Sequence, residues 1–364
     1  MSESVPPAVL ATGGRHRGWW RWWYVVPLMV FALSGVGAST LKIPYFAISP
    51  GSAVDVSALV EVVDAPSFEP KGQIFLTTVR LRQVTLLEAI TGWLDPQVDV
   101  VEQAVVLPPS VPSGELRDFN LRLMDTSKQT ALGVALRQLG IDVIRGSGAE
   151  IVGVLEGAPA DGLFEAGDLI VAVDGVEVTL HDEVVSLLAD RAPGDTVAVT
   201  FEPSGGGESR TVDVTLGARD DMPGRALIGV TLQTRDLRFE FPFTVNIASE
   251  RIGGPSAGLA FTLEVLDVLT EGELTGGRRI AATGTIELDG SVGSVGGVAQ
   301  KTVAVQQHGI ELFLVPSDTY ELALRFAGDG LRVEPVDNLE DALRILEAFG
   351  GDRLTGELGG ADPA

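Results

Sequence analysis

Two residues carry the chemical promise of this sequence, a serine and a lysine. Ser256 sits in Gly253-Gly254-Pro255-Ser256-Ala257-Gly258, after the strand-like alternation Phe241-Pro242-Phe243-Thr244-Val245-Asn246-Ile247. An apolar stretch follows from Leu259 to Leu269, interrupted only by Thr262, Glu264 and Asp267, which predicts a buried helix. Proline is favoured at a helix's first position, where its missing N–H would be unpaired anyway, so Pro255 places Ser256 in the opening turn. A hydroxyl there faces free backbone donors and the positive end of the helix dipole, which can hold an oxyanion developing during acyl transfer. Gly254, Ala257 and Gly258 are small enough to leave room for a substrate.

A serine nucleophile needs a base. The three histidines, His16, His181 and His308, are far apart and lack metal-ligand spacing. Cysteine is absent, so no thiolate nucleophile, disulfide framework or Cys-ligated zinc is available; no metal and no cofactor is expected. Lysine occurs four times, at Lys42, Lys71, Lys128 and Lys301. Only Lys301 follows residue 128, and it heads the apolar-periodic segment Val298-Ala299-Gln300-Lys301-Thr302-Val303-Ala304-Val305 after Gly296-Gly297. Bringing a lysine to half-deprotonation at pH 7 takes a shift of about 3.4 units, or roughly 4.6 kcal/mol. Burial in apolar surroundings supplies about 3–5 units, so a neutral general-base amine is attainable.

The elements that must position this pair belong to a modular chain. Its 364 residues predict two or three domains. A formal charge of -24, from 26 Lys and Arg against 50 Asp and Glu, excludes a protein that holds nucleic acid through its phosphates. Residues 22–41 contain no charge, and at about 1.5 Å per residue they span roughly 30 Å, the thickness of the hydrocarbon layer. Arg15, Arg17 and Arg21 precede them, and Trp19, Trp20, Trp22, Trp23 and Tyr24 crowd the boundary. The positive-inside rule then leaves residues 1–21 cytoplasmic and exports everything after Lys42. A cleaved signal peptide is the second reading, with small residues at Val36-Gly37-Ala38; it exports the same part of the chain.

Residues 42–130 read as an α/β region of unknown role, with a strand at 73–80 and a helix at 86–94. Residues 108–114, with three prolines, read as a linker or long loop, and Thr130 to Leu139 as a helix ending at Gly140. Asp174-Gly175 between alternating apolar residues signals a hairpin turn. His181 to Leu188 suits a short helix, and Asp195 to Leu216 a hairpin with its tip at Ser204-Gly205-Gly206-Gly207. The segment 131–217, through Gly157-Ala158-Pro159-Ala160, Leu163, Gly167-Asp168, Ile170 and Asp174-Gly175, resembles a PDZ domain of the bacterial type found beside envelope proteases. That resemblance implies a module that adds a peptide strand to an open sheet edge and holds a chain end in backbone amides. It places the carboxylate loop near Leu139-Gly140, before a strand at 141–144.

Further on, Gly254-Pro255-Ser256-Ala257-Gly258, Ala282-Thr283-Gly284-Thr285-Ile286, Gly290-Ser291-Val292-Gly293-Ser294-Val295-Gly296-Gly297, Lys301 and Leu312-Phe313-Leu314-Val315-Pro316 follow in order. Over about residues 225–350 these resemble the proteolytic domain of the Lon protease family, a serine-lysine dyad peptidase. The resemblance implies Ser256 as nucleophile, Lys301 as general base, Thr283 orienting the amine, and Gly254, Pro255, Ala257 and Gly258 as the oxyanion and active-site loop. Two positions depart from ATP-dependent Lon enzymes: Gly253 and Thr285 stand where those commonly carry acidic residues. No Gly-x-x-x-x-Gly-Lys-Ser/Thr loop occurs, so no ATPase is inferred.

Together the features resemble membrane-anchored PDZ-Lon proteins of bacterial envelopes. The expected architecture is multi-domain α+β: a transmembrane helix at 22–41, an α/β region at 42–130, a PDZ-like β-sheet domain at 131–217, a Lon-type α+β domain at 218–350 and a flexible tail at 351–364. The expected function is an ATP-independent serine endopeptidase, single-pass in the bacterial cytoplasmic membrane with its domains outside. Its implied partners are protein or peptide substrates, the membrane through residues 22–41, and, since Lon-like domains often form rings, other copies of itself. A catalytically inactive membrane-tethered PDZ adaptor is the alternative. The Gly-x-Ser-x-Gly elbow of α/β-hydrolases also fits the pentapeptide formally, but that elbow needs the serine directly after a strand.

Overall fold

The structure is a computed structural model and describes residues 19–106, 115–218, 225–249 and 252–354. Residues 1–18, the 108–114 linker and most of the expected tail lie outside the described residues. The chain forms two compact units: residues 1–49 with 80–110, and residues 50–79 with 111–364. The single α/β region expected over 42–130 is thereby corrected. Its strands β1 (Lys42–Asp55) and β2 (Gln73–Thr85) run for 14 and 13 residues, more than twice the usual length of about 5–6, so each unit takes part of both.

In the first unit, α1 (Trp19–Thr40) is long and apolar enough to cross a membrane, and its side chains from Trp23 are almost all exposed. The helix α2 (Leu86–Trp93) starts where Thr85 forms a capping box. The Thr85 hydroxyl oxygen accepts from the Glu88 N–H at 3.4 Å, and Glu88 Oε2 accepts from the Thr85 N–H at 2.9 Å. The strand β3 (Asp99–Glu102) pairs antiparallel with β1, setting Tyr45 opposite Glu102 and Ile48 opposite Asp99. The one-turn helix α3 (Gln103–Val106) follows. Ala47, Val84 and Ala89 form the unit's small core.

In the second unit, the helix expected at 130–139 is the end of a longer one, α4 (Leu116–Gln138). Next come β4 (Ala149–Val154), β5 (Leu169–Val173), α5 (His181–Leu188), β6 (Thr196–Glu202), β7 (Arg210–Thr215) and β8 (Val230–Thr234). These strands form a sheet in the order β7-β6-β5-β4-β8 over a core that includes Ile151, Ile170, Val197, Val199 and Val214. The β6–β7 hairpin matches the expectation, with Thr196 opposite Thr215. Asp174 and Gly175 both take positive φ, 50° and 79°, as the predicted tight turn requires.

The expected strand at 141–144 is corrected. Only Ile144–Arg145 is paired, and with Arg238–Phe239 rather than with this sheet. The sheet edge beside α5 is β8, reached through residues 225–229. Gly229 turns the chain there with φ 89°, and Ala158 Cβ stands 2.2 Å from where a side chain would begin. Only glycine serves at such a position. The sheet therefore recruits a strand from beyond the predicted boundary at 217.

The remainder comprises α6 (Gly258–Leu269), β9 (Arg279–Ala282), α7 (Val298–Gln307), β10 (Leu312–Pro316), α8 (Tyr320–Phe326), β11 (Arg332–Val336) and α9 (Leu339–Phe349). β11, β10, β9 and the first half of β2 lie side by side in parallel, with Ile280 opposite both Leu312 and Ile74. A parallel sheet is covered on both faces, which explains the unbroken apolar run of β10, buried at every residue. Ile74, Leu76, Ile280 and Leu314 join the core of α6, whereas Phe75, Ala281 and Phe313 face the cluster containing Val298 and Val305 of α7. The strand predicted at 241–247 is regular over Thr244–Ile247, antiparallel to Val60–Val63. The expected flexible tail is tied down at its start, since the Asp352 N–H donates to Glu273 O at 2.8 Å.

Candidate active site

Ser256 does not lie in the opening turn of α6, as its proline had suggested. Gly254 reverses the chain at φ 92°, residues 255–257 make a separate turn, and α6 begins at Gly258. The Gly258 N–H closes that turn on Pro255 O at 3.3 Å, and the first helical bond runs from the Phe261 N–H to Ala257 O at 2.9 Å. Pro255 thus sits in a turn just ahead of the helix. Among the described residues the backbone N–H groups of Ser256 and Ala257 have no hydrogen-bond partner. Both residues line a cavity of about 500 Å³.

Lys301 is the fourth residue of α7 and opens onto the same cavity. It is only 2% exposed, and burial pulls its ammonium down from 10.5 to about 7. Its Nζ donates to Thr283 Oγ1 at 2.9 Å, and the Thr283 hydroxyl in turn donates to Ser256 O at 3.2 Å. The Gly284 N–H donates to that same carbonyl at 3.1 Å, and the Leu259 N–H to Gly284 O at 3.2 Å. The end of β9 is thus laced to the serine turn. Gly284, at φ 152°, allows this approach, since Val292 lies 2.5 Å from where its Cβ would be. The three residues singled out in the sequence meet here. Among the described residues no hydrogen bond joins the Ser256 hydroxyl to the Lys301 amine directly.

Two residues that the motifs did not reveal hold the serine turn from the other side. Asn120 O accepts from the Gly254 N–H at 2.8 Å, and the Ser127 hydroxyl donates to Pro255 O at 3.0 Å. Both lie on α4, at least 120 residues upstream in the chain. Their signal was positional: Asn120, Met124 and Ser127 are spaced 4 and 3 apart, one face of a helix. Thr285, where an acidic residue had been the comparison, lines the cavity and donates to Glu287 Oε1 at 3.3 Å. Ser294, also on the cavity wall, is hydrogen-bonded to Asp318.

The acidic interruptions of α6 lie elsewhere. Glu264 and Asp267 are both buried. Burial, with the neighbouring Asp267 charge adding to it, pushes Glu264 up to about 8. Burial pushes Asp267 up to about 7, although the Leu274 N–H bonds its Oδ1 at 2.9 Å. Glu264 Oε1 and Asp267 Oδ2 have no partner among the described residues. Neither side chain reaches the serine cavity.

A second cavity of about 650 Å³ runs between α5 and β8, walled by Val184, Val185 and Leu188 on the helix and Leu227 and Val230 on the strand side. It lies at the β8 edge, not near Leu139-Gly140. Arg137 at the end of α4 links this region to the serine side. Its Nη1 donates at 3.0 Å both to Asp182 Oδ2 on α5 and to Leu288 O.

A parallel-sheet domain that gathers a serine, a threonine and a buried lysine around one cavity, preceded by a small six-stranded sheet domain, is the class that this fold and site define. Family models agree in order and position. The PDZ domain matches residues 130–216, and the Lon protease (S16) C-terminal proteolytic domain matches residues 248–347. The chain carries a PDZ domain followed by a Lon-type protease domain. Lon protease 1 of Myxococcus xanthus is 25% identical over 315 residues, covering 74% of this chain and 37% of that protein. Lon protease of Buchnera aphidicola is 34% identical over 95 residues, 25% of this chain and 12% of the other. Serine protease PepD of Mycobacterium tuberculosis is 41% identical over 147 residues, 39% of this chain and 30% of the other. The PDZ domain of an SdrC-like protein from Listeria monocytogenes aligns at 29% identity over 24% of this chain and 87% of that one, with a TM-score of 0.22. This chain therefore spans well under half of each curated relative.

Proposed function

We propose that this chain is an ATP-independent serine endopeptidase of the cell envelope, held in the cytoplasmic membrane by α1 with its domains on the outer side. The observation that carries the reading is the buried Lys301 amine, bonded to Thr283 and sharing a cavity with Ser256. A lysine near 7 has a substantial neutral fraction at physiological pH, and that fraction is free to accept a proton. With substrate in the cavity, the Ser256 hydroxyl turns toward Nζ, gives up its proton and attacks the peptide carbonyl. The unpartnered N–H groups of Ser256 and Ala257 supply the oxyanion donors. The protonated lysine then delivers its proton to the leaving amine, and water clears the acyl-enzyme by the reverse route. Thr283 orients the amine by accepting one of its hydrogens. Arg15 and Arg17 before α1 and Arg21 at its start, together with the aromatic cluster there, support the anchor and its direction.

The groove between α5 and β8 recruits an extended substrate segment by strand addition, its apolar walls taking alternate side chains. The missing Ser256–Lys301 hydrogen bond favours a second reading, in which the chain is an inactive PDZ adaptor. Incubation of the full-length protein in detergent with a fluorophosphonate probe and with an unfolded polypeptide separates the two. The protease reading requires labelling at Ser256 and cleavage, both lost in Ser256→Ala and Lys301→Met. Labelling undiminished in Lys301→Met would remove the lysine from its role as base.

A further inference from the structure

The helix α2 turns its large side chains the wrong way for a soluble domain. Leu86, Leu87, Ile90, Trp93 and Leu94, at its C-cap, are 46–81% exposed, while the residues it buries are the small ones, Ala89 and Gly92. At 100° per residue those five fall within an arc of about 120°. The helix is seated by its small face: a Cβ on Gly92 would lie 2.7 Å from Val100 Cγ2 on β3. Nothing charged interrupts the outer face, because Glu88 is held by Arg82 and the Thr85 cap, and Thr91 bonds back to Leu87 O and Glu88 O.

Three further features of the same unit bear on what covers this face. α1, apolar and long enough to span a bilayer, is a neighbour of α2 within the unit. Trp93 meets Tyr45 edge to face at 6.4 Å, pairing two amphipathic aromatics of the kind that settle at the headgroup level. The unit also lacks the acidity of the rest of the chain. Beyond α1 it holds Lys42, Arg80 and Arg82 against Glu88, Asp95, Asp99 and Glu102, a nearly neutral balance, so an anionic headgroup surface repels it little.

We propose that α2 lies in the interface plane of the bilayer that α1 crosses, with its outer face among the upper acyl chains. This rests on the reading of α1 as a membrane anchor. The anchor supplies the first attachment, and α2 gives the first unit a defined seat on the lipid, where a single helix alone would leave it free to swivel.

The chain has no cysteine, so single thiols can be placed and labelled without background. Full-length Ile90→Cys, Val30→Cys and Glu208→Cys, each carrying an environment-sensitive fluorophore, are reconstituted in phosphatidylethanolamine–phosphatidylglycerol vesicles containing quencher lipids. Position 90 tests α2, position 30 tests α1, and position 208 is an exposed site on the second unit. Shallow quenchers should lower the position-90 signal at least about twofold, deep quenchers should lower the position-30 signal, and neither should affect position 208. Leu94→Cys, the most exposed site, repeats the α2 measurement should position 90 disturb folding. Position 30 quenched while 90 and 94 stay unquenched would overturn the proposal and leave the anchor intact. A blue-shifted but unquenched label on α2 would mean that protein, such as a second copy, covers the face, and would also overturn it. An unquenched position 30 would end both readings together.

Discussion

Lys301 donates its 2.9 Å hydrogen bond to Thr283 from a site that is 98% closed to solvent, and the same threonine bonds the Ser256 backbone carbonyl. One hydroxyl therefore fixes the amine and the serine turn together, so under the proposed mechanism activity should depend on both the charge of the lysine and the presence of the threonine.

With Lys301 as the base, kcat/KM for a peptide substrate should rise with pH through an apparent value near 7, because only the neutral amine accepts a proton. Thr283→Val removes the acceptor and should lower kcat by about 10–100-fold, with Thr283→Ser restoring most of it. A flat profile from about pH 5 to 10 with chemistry limiting would contradict the assignment.

Stability should depend on pH with two opposing slopes. The unfolded lysine holds its proton to 10.5 and the folded one only to about 7, so this group makes stability climb as pH rises between those values. Glu264 and Asp267 act in the other direction. Folded, they keep their protons to about 8 and about 7; unfolded, they lose them at 4.5 and 3.8. Their contribution is full in acid and is lost as pH rises through that interval. Urea titrations across pH should show Glu264→Gln and Asp267→Asn more stable than the parent at pH 8, by on the order of 1–3 kcal/mol. Lys301→Met should flatten the alkaline limb. An unchanged pH dependence in all three would show these groups to be solvated.

Ser127→Ala deletes the hydroxyl that holds Pro255 O at 3.0 Å. A single neutral hydrogen bond contributes only about 0.5–1.5 kcal/mol to stability, so the melting temperature should fall by a few degrees at most. The turn carrying Ser256, however, becomes looser. The expected result is a kcat reduced about tenfold at nearly constant KM, rescued by Ser127→Thr. Equal losses in the alanine and threonine variants would argue for packing instead.

The groove between α5 and β8 should matter for proteins and not for short peptides. Val185 is exposed and lines it, so Val185→Glu places a charge on an apolar wall without touching the core. Cleavage of an unfolded protein should slow several-fold while hydrolysis of a small chromogenic peptide is unchanged. Parallel losses on both substrates would count against recruitment.

The parts legible from the sequence were those governed by local pattern. The apolar run before Lys42, the alternation around Asp174-Gly175, the Gly-Pro-Ser turn with its buried helix, and the rarity of lysine each report on near neighbours in the chain. Pairing was illegible. The strand expected at 141–144 is not part of the PDZ sheet, whose edge beside α5 is Val230–Thr234, because sheet partners are chosen by long-range complementarity, here the close contact of Gly229 with Ala158. Proline's preference for a helix start was overridden at Ser256, where Gly254 and Pro255 make a turn of their own.

By itself, the amino-acid order narrowed the chemistry it could offer: with no cysteine and no histidine spaced near Ser256, it pointed to a hydroxyl paired with the one lysine beyond residue 128. Whether that lysine could serve was a tertiary matter. An amine loses its proton only when surrounding groups displace water from it, and those groups come from β9, α7 and the serine turn, segments separated by tens of residues. The clamp from α4 belongs to the same category, since no local pattern records which distant carbonyl a serine hydroxyl will find.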